Sequence, residues 1–387
     1  MSVAHGEPFP VDGICDPRFA AVRDAFVTNF TDRGDVGAAV TVSVGGRVLV
    51  DLWGGWADAA RRRPWRRDTL VNFFSVGKGL STVCVLQLVE RGLLDLDAAV
   101  ARYWPEFACA GKESITVRQI LSHRAGLPAI REPLPDGAML DWEVMVRAIE
   151  RQAPWWVPDT AHGYHVNTFG YLVGELVRRV AGSTLGTWLR REVTGPLGAD
   201  VHIGVPASEH ARIAEFLWPA AAAPRMPSAE DDDELMRWNA YWNPVGLSGA
   251  GWVNTAAWRA GEIPSTNGHG TAGGVARVYA ALARWGTIDG VRILHAPVLE
   301  AAIVEQASGT DRVLQRPSRF GVGFQLTQPE RPLGPNPGAF GHFGTGGSVG
   351  FCDPAADVAV GYVMNDLGPR WQNPRNRALI DAVYACL

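Results

Sequence analysis

Two β-branched runs, 38–44 and 47–52, alternate around Gly45-Gly46, a spacing that predicts a hairpin with a primed turn near the start of the chain. Before it, 17–30 carries apolar residues at helical spacing and predicts an N-terminal helix. A short strand over 70–74 runs into Ser75, and 78–91 continues as a buried helix stopped by Gly92. Helical periodicity then recurs over 116–122, Trp142–Arg151, 168–180, 187–193 and 272–285. Between these, 235–264 is rich in Trp, Asn and Gly and has no clear period. The stretch 221–234, ending in the acidic run Glu230 to Glu234, reads as an exposed loop. Strand character returns over 319–326, 339–345, 348–352 and Val358–Met364, and 376–386 closes as a helix.

Strands at both chain ends with helices between them predict an α+β fold. One antiparallel sheet would be made by 1–80 and 285–387, with a mainly helical lobe, 81–284, inserted. An active site is then expected in the cleft between the lobes.

Composition narrows the function classes. The chain has 387 residues, 47% hydrophobic and 20% charged, with a formal net charge of -4, which favours neither nucleic acid nor an anionic membrane as partner. The basic cluster Arg61 to Arg67 is broken by Pro64 and Trp65 and reads as a solvated turn. Cys15, Cys84, Cys109, Cys352 and Cys386 are odd in number and lack CxxC pairing, so neither a disulfide framework nor a zinc site is expected. No cofactor is implied. Residues 1–12 carry no signal-peptide pattern, and no apolar run approaches the ~18 residues of a membrane span. A cytoplasmic location is the expectation.

Of the 36 basic residues only Lys78 and Lys112 are lysines. Arginine keeps its proton in a protein, whereas a desolvated lysine can lose it and act as a base. Ser75-Val76-Gly77-Lys78 sets a serine and a lysine three apart at a helix start, where both fall on one face and the helix N-terminus favours alkoxide over ammonium. That arrangement points to a serine nucleophile with a lysine base.

Three further segments follow in order: 115–128 (ITVRQILSHRAGLP), 161–170 (AHGYHVNTFG) and 341–347 (GHFGTGG). Together with Ser75-x-x-Lys78 they resemble the serine β-lactamase and penicillin-binding-protein superfamily, over nearly the whole chain. The match is nearest to the class C-like branch that includes family VIII carboxylesterases. The resemblance implies acyl transfer: Ser75 attacks a carbonyl, Tyr164 with Lys78 handles the proton, and the backbone N–H groups of Ser75 and Thr345 form the oxyanion hole. It also implies that a phenolate at Tyr164 beside an ammonium at Lys78 can share one proton.

Two departures from lactamases stand out. Val166 occupies the position two after Tyr164, with Asn167 one later, and His342 opens the third motif in place of lysine. Both resemble the esterase branch, so a small-molecule ester is the expected substrate. A β-lactam or D-amino-acid amide or peptide hydrolase, an acyltransferase and a non-catalytic ligand binder are the alternatives. His342, Gly344, Trp242 and Asn267 are the expected substrate-binding residues. Trp155, Trp156, Trp238 and Trp252 read first as packing, and part of this aromatic set would suit a bulky apolar group. Gly346-Gly347-Ser348-Val349-Gly350 fits a nucleophile elbow, but His342 is the last histidine and precedes Ser348, so Ser348 reads as a turn residue. His123 reads as structural, and His162 and His165 lack a third partner for zinc.

Overall fold

The computed structural model describes residues 9–219, 227, 231–368 and 371–387. The N-terminal part supplies β1 (Val11–Cys15), β2 (Gly37–Val44) and β3 (Arg47–Gly55). Three short strands, β4 (Val71–Asn72), β5 (Val201–His202) and β6 (His269–Gly270), make a separate small sheet, and β7 (Thr287–Ile288) with β8 (Val291–Arg292) a small hairpin. The C-terminal part supplies β9 (Ala307–Thr310), β10 (Pro317–Phe320), β11 (Gln325–Leu326), β12 (Phe340–Phe343), β13 (Val349–Asp353) and β14 (Val358–Met364). Nine strands join in the order β1-β3-β2-β14-β13-β12-β11-β10-β9, antiparallel throughout.

The two chain ends therefore meet at the β2–β14 pair, in the middle of one sheet. Gly45 and Gly46 turn the first hairpin at φ 60° and 77°, the left-handed pair that a primed turn requires. Every residue of β14 is buried, so both of its faces are covered. The helix Ala272–Ala283 packs across β2, β13 and β14. A Cβ on Gly361 would come within 2.3 Å of the Ala272 carbonyl, so glycine lets this helix lie close on β14. The terminal helices Ala20–Thr31 and Pro374–Ala385 pack on one another.

The helix Val76–Glu90 is buried from Val76 through Leu88 and touches β12 on one side and the helices Thr168–Ala181 and Leu185–Leu189 on the other. A helix apolar on all faces is stable only in such a position. It is the central strut between the sheet and the middle of the chain.

Several expectations need correction. The 70–74 strand is only two residues long and belongs to the small sheet. The 319–326 run is two strands, β10 and β11, separated by a turn with Gly323 at φ 76°. The acidic run is no loop from Asp232 onward: Asp231 accepts a hydrogen bond from Glu234 N and caps the helix Asp232–Trp242, whose first turn holds Asp232, Asp233 and Glu234. Carboxylates there meet the positive end of the helix dipole. Residues 221–226 and 228–230 of that stretch, and 1–8 of the N-terminal segment, lie outside the described residues. Among the described residues no helix is long and apolar enough to cross a membrane.

Candidate active site

Ser75 sits at the junction of β4 and the 76–90 helix, in the N-cap position and 5% exposed. Phe74, just before it, adopts φ 51°, a region that a bulky residue enters only when its surroundings force it. The Phe74 ring is wedged edge-on against Phe216, centroids 4.8 Å apart. On the other side, Phe73 N donates to the Gly268 carbonyl at 2.9 Å and the Phe73 carbonyl accepts from Ser348 Oγ at 2.8 Å. The turn is pinned from both sides, and Ser75 faces a cleft.

Lys78 is fully buried, one helical turn along. Its Nζ lies 2.6 Å from the Val166 carbonyl, 3.1 Å from the Ser265 carbonyl and 3.2 Å from Ser75 Oγ. Burial drives its pKa well below the usual lysine value. A neutral amine has two hydrogens and one lone pair, and two of the three neighbours are carbonyls that can only accept. The two hydrogens go to Val166 and Ser265, so the lone pair is left for the Ser75 hydroxyl.

Tyr164 is also fully buried, 4.7 Å from Lys78 Nζ at its ring centroid. Its ring stacks on Phe320 at 5.9 Å and 8° and meets Trp371 edge-on at 4.7 Å. Among the described residues its hydroxyl has no partner within hydrogen-bonding geometry. Burial pushes this phenol well above its ordinary pKa, and Ser75, near enough to favour the phenolate, only partly opposes that. The two shifts act in opposite senses, weakening the hold of the lysine on a proton and strengthening that of the phenol. The Tyr164 backbone N–H donates to Asp311 Oδ1 at 3.0 Å and Oδ2 at 3.1 Å, and the same carboxylate accepts from Val313 N, Leu314 N and Ser318 Oγ, each at 2.9 Å.

His342, on β12, is buried near this pair, its ring 5.9 Å from that of Tyr164. Its Nδ1 lies 2.7 Å from the Phe343 carbonyl, which can only accept, so Nδ1 carries the hydrogen and Nε2 is a bare acceptor. Burial, then the proximity of Lys78, holds its pKa well below the ordinary histidine value. His123 lies beneath Tyr164, centroids 4.9 Å apart, and accepts from His165 N at Nδ1. His165 is occupied at both nitrogens, by Leu127 N and the Gly163 carbonyl, while His162 bonds Ser318 Oγ.

After β12 the chain turns through Gly344, Thr345, Gly346 and Gly347. A Cβ on Gly344 would lie 2.2 Å from Ser348 Oγ and 2.3 Å from the Phe73 carbonyl, so only glycine brings this strand end against the Ser75 turn. Asn373 and Asn376 of the C-terminal helix hold the Gly346 and Gly347 carbonyls at 3.0 and 2.8 Å. Ser75, Thr345, Gly346, Asn167, Trp242 and Trp371 are among the walls of a cleft of about 630 Å³. Lys78 and Tyr164 lie behind it.

The Beta-lactamase family model matches residues 23–385. The chain belongs to the beta-lactamase family. A crystal structure of a family VIII carboxylesterase is 43% identical, with a TM-score of 0.90, covering 98% of this chain and 100% of that one. A penicillin-binding-protein homologue from Caulobacter crescentus is 41% identical at the same TM-score, over 98% of this chain and 100% of its own. Esterase/beta-lactamase LipL of Mycobacterium tuberculosis (strain ATCC 25618 / H37Rv) is 35% identical over 92% of this chain and 83% of its own length.

Of the residues expected to bind substrate, Trp242 lines this beta-lactamase-family cleft, whereas His342, Gly344 and Asn267 are not among its walls. Asn267 does not line it: its side chain accepts from Ile263 N and donates to the Trp258 and Gly261 carbonyls, so it is spent on a loop. Asn167 lines it instead, its amide held by the Ala240 carbonyl and Ser248 Oγ. The other lysine, Lys112, caps three carbonyls, of Cys109, Glu150 and Gln152, and belongs to the scaffold. Asp311, Phe74 and the Val166 and Ser265 carbonyls were not foreseen. None of them left a trace in the sequence: Asp311 stands in the polar stretch 308–312 (SGTDR), with nothing to mark it from its neighbours.

Proposed function

We propose that this chain is a serine hydrolase that cleaves carboxylic esters through an acyl-enzyme on Ser75. The observation that carries the reading is the environment of Lys78, with two acceptor-only carbonyls and the serine as its three neighbours. Lys78 takes the Ser75 proton as Oγ adds to the ester carbonyl. The negative oxygen that forms is met by the backbone N–H groups of Ser75 and Thr345, donors of a kind worth about 3–4 kcal/mol each. Tyr164 gives its proton to the departing alkoxide and is refilled from Lys78. Water then enters and loses a proton to the same pair as its oxygen adds to the acyl carbon, and the acid leaves as the bond to Ser75 Oγ breaks and the pair returns that proton to the serine.

Relatives described as esterase and family VIII carboxylesterase support the choice of ester over amide, as does the neutral His342. A cation there would hold a substrate carboxylate, which simple esters lack. The proposal takes the cleft as lying between a sheet lobe, 1–80 with 285–387, and a helical lobe, 81–284, although the 272–283 helix packs on the sheet. Hydrolysis of p-nitrophenyl butyrate tests the reading: Ser75→Ala is expected to lose at least about a thousandfold in kcat. Substantial activity in that variant would sink it.

A β-lactam reading is favoured by one observation, the combined description of the LipL relative. Nitrocefin turnover decides between them. Hydrolysis slower than that of the butyrate ester is expected, and faster turnover would reverse the preference.

A further inference from the structure

A second cavity, of about 640 Å³, adjoins the reactive cleft, and Trp218 and Trp242 line both. Its other walls include Phe216, Leu217, Pro219, Val245, Ala250 and Val253. The polar groups at its edge are already engaged. Asn254 accepts from Phe216 N at 2.8 Å and donates to the Phe216 carbonyl at 2.9 Å, while Glu215 Oε2 accepts from Ala59 N at 3.0 Å. The rest of the wall is mainly apolar side chain.

The wall is also fixed relative to the nucleophile. Leu217 N donates to the Asn365 carbonyl at 2.6 Å, and Leu367 N donates to the Leu217 carbonyl at 3.3 Å. Phe216 packs edge-on against Phe74 and lies 6.0 Å from Trp218, so one aromatic strip runs from the residue before Ser75 to the partition between the cavities. Such a mainly apolar slot gains by taking up methylene groups, and the Glu215 carboxylate at its edge disfavours a negatively charged group.

We propose that this second cavity receives a linear hydrocarbon chain of the substrate, passing the Trp218–Trp242 pair, so that the preferred substrates are esters with a medium or long alkyl chain. The inference rests on the reading that Ser75 is the nucleophile, since the chain is measured from that atom. Each methylene moved from water to an apolar wall improves binding by roughly fourfold at most, so several of them give a preference of tenfold or more.

The test compares kcat/KM for p-nitrophenyl decanoate and butyrate, which vary the acyl side, and for decyl and butyl acetate, which vary the alcohol side. One of the two pairs is expected to favour the ten-carbon chain at least tenfold, and that pair identifies which side of the ester enters the cavity. Val245→Trp and, independently, Ala250→Trp fill the cavity and are expected to cut that ratio at least tenfold. Ratios near one in the wild type, or unchanged in both filled variants, overturn the proposal. A readout that needs no turnover separates it from the nucleophile assignment: calorimetric binding to Ser75→Ala of decanoate, or of 1-decanol where the alcohol pair shows the preference, is expected to weaken at least tenfold when Val245→Trp is added. Equal binding overturns the cavity proposal alone, whereas loss of fluorophosphonate labelling at Ser75 in the wild type would overturn the nucleophile alone.

Discussion

In the proposed mechanism the chemistry turns on Lys78, which is buried with no carboxylate partner among the described residues and has its pKa driven well below the usual lysine value. Its protonation on the acid side removes the base, so kcat/KM for an uncharged ester is expected to rise with pH through the depressed lysine pKa. The phenol, pushed well above ~10, brings no loss at neutral or mildly alkaline pH. A bell falling below pH 9 would contradict this. Lys78→Arg keeps a charge but cannot shuttle a proton, and a loss of at least about a hundredfold in kcat is expected. A buried unpaired lysine also costs stability wherever the unfolded chain would hold its proton and the folded chain does not. Lys78→Met should therefore raise Tm, with a gain that grows as pH falls from ~10 toward the depressed value. A gain independent of pH would assign it to packing instead. Ser75 and Lys78 were legible as neighbours because three residues apart on a helix is a local relation, whereas Tyr164 was joined to them only through the family resemblance. It could not reveal that Lys78 is held by the carbonyls of Val166 and Ser265, since backbone acceptors 88 and 187 residues away leave no mark in residue type.

Among elements, the end of β12 and the loop between β9 and β10 carry the site. Gly344→Ala drives a methyl group into Ser348 Oγ and the Phe73 carbonyl. Overpacking of this kind costs about 1–3 kcal/mol, and both activity and Tm are expected to fall. Ser348→Ala removes only the bond to the Phe73 carbonyl, a loss of about 1–2 kcal/mol, and is expected to retain ester hydrolysis. An inactive but folded Ser348→Ala protein would revive the glycine-flanked serine as nucleophile. Asp311 gathers Tyr164 N, two amides of its own loop and the Ser318 hydroxyl on one carboxylate. Asp311→Asn turns two acceptor oxygens into one and is expected to lower kcat more than it raises KM. Periodic elements such as Trp142–Arg151 and Val358–Met364 were legible to the residue because pattern and burial agree there. The edge strands β1 and β9 were not: β1 alternates between half-buried and exposed positions and Ala307–Thr310 is nearly all exposed, so neither has the apolar run that marks a strand. The acidic start of the 232–242 helix was missed because charge hid the cap.

Over the whole molecule, both chain ends are locked together beside the central strands. Asp35 is fully buried between Tyr362, whose hydroxyl donates to Oδ2 at 2.5 Å, and Arg375, 3.2 Å from Oδ1. Burial outweighs that arginine and raises the Asp35 carboxyl to about 7. The folded chain holds this proton where the unfolded one, with a pKa of ~3.9, has released it. Its contribution to stability is therefore complete below ~4 and fades as pH climbs through about 7. Asp35→Asn is expected to flatten the dependence of Tm on pH across that window, and an unchanged slope would show that another group titrates there. This closure also sets the site: β2 and β14 carry the sheet whose β12 end faces the Ser75 turn, and the C-terminal helix grips Gly346 and Gly347 through Asn373 and Asn376. The central claim is that Ser75 is the atom acylated. Acid-quenching the protein during turnover of p-nitrophenyl butyrate and mapping the peptides by mass spectrometry tests it most directly. A butyryl group on Ser75 is the predicted result, and a butyryl group on Ser348 or on no serine at all would contradict it.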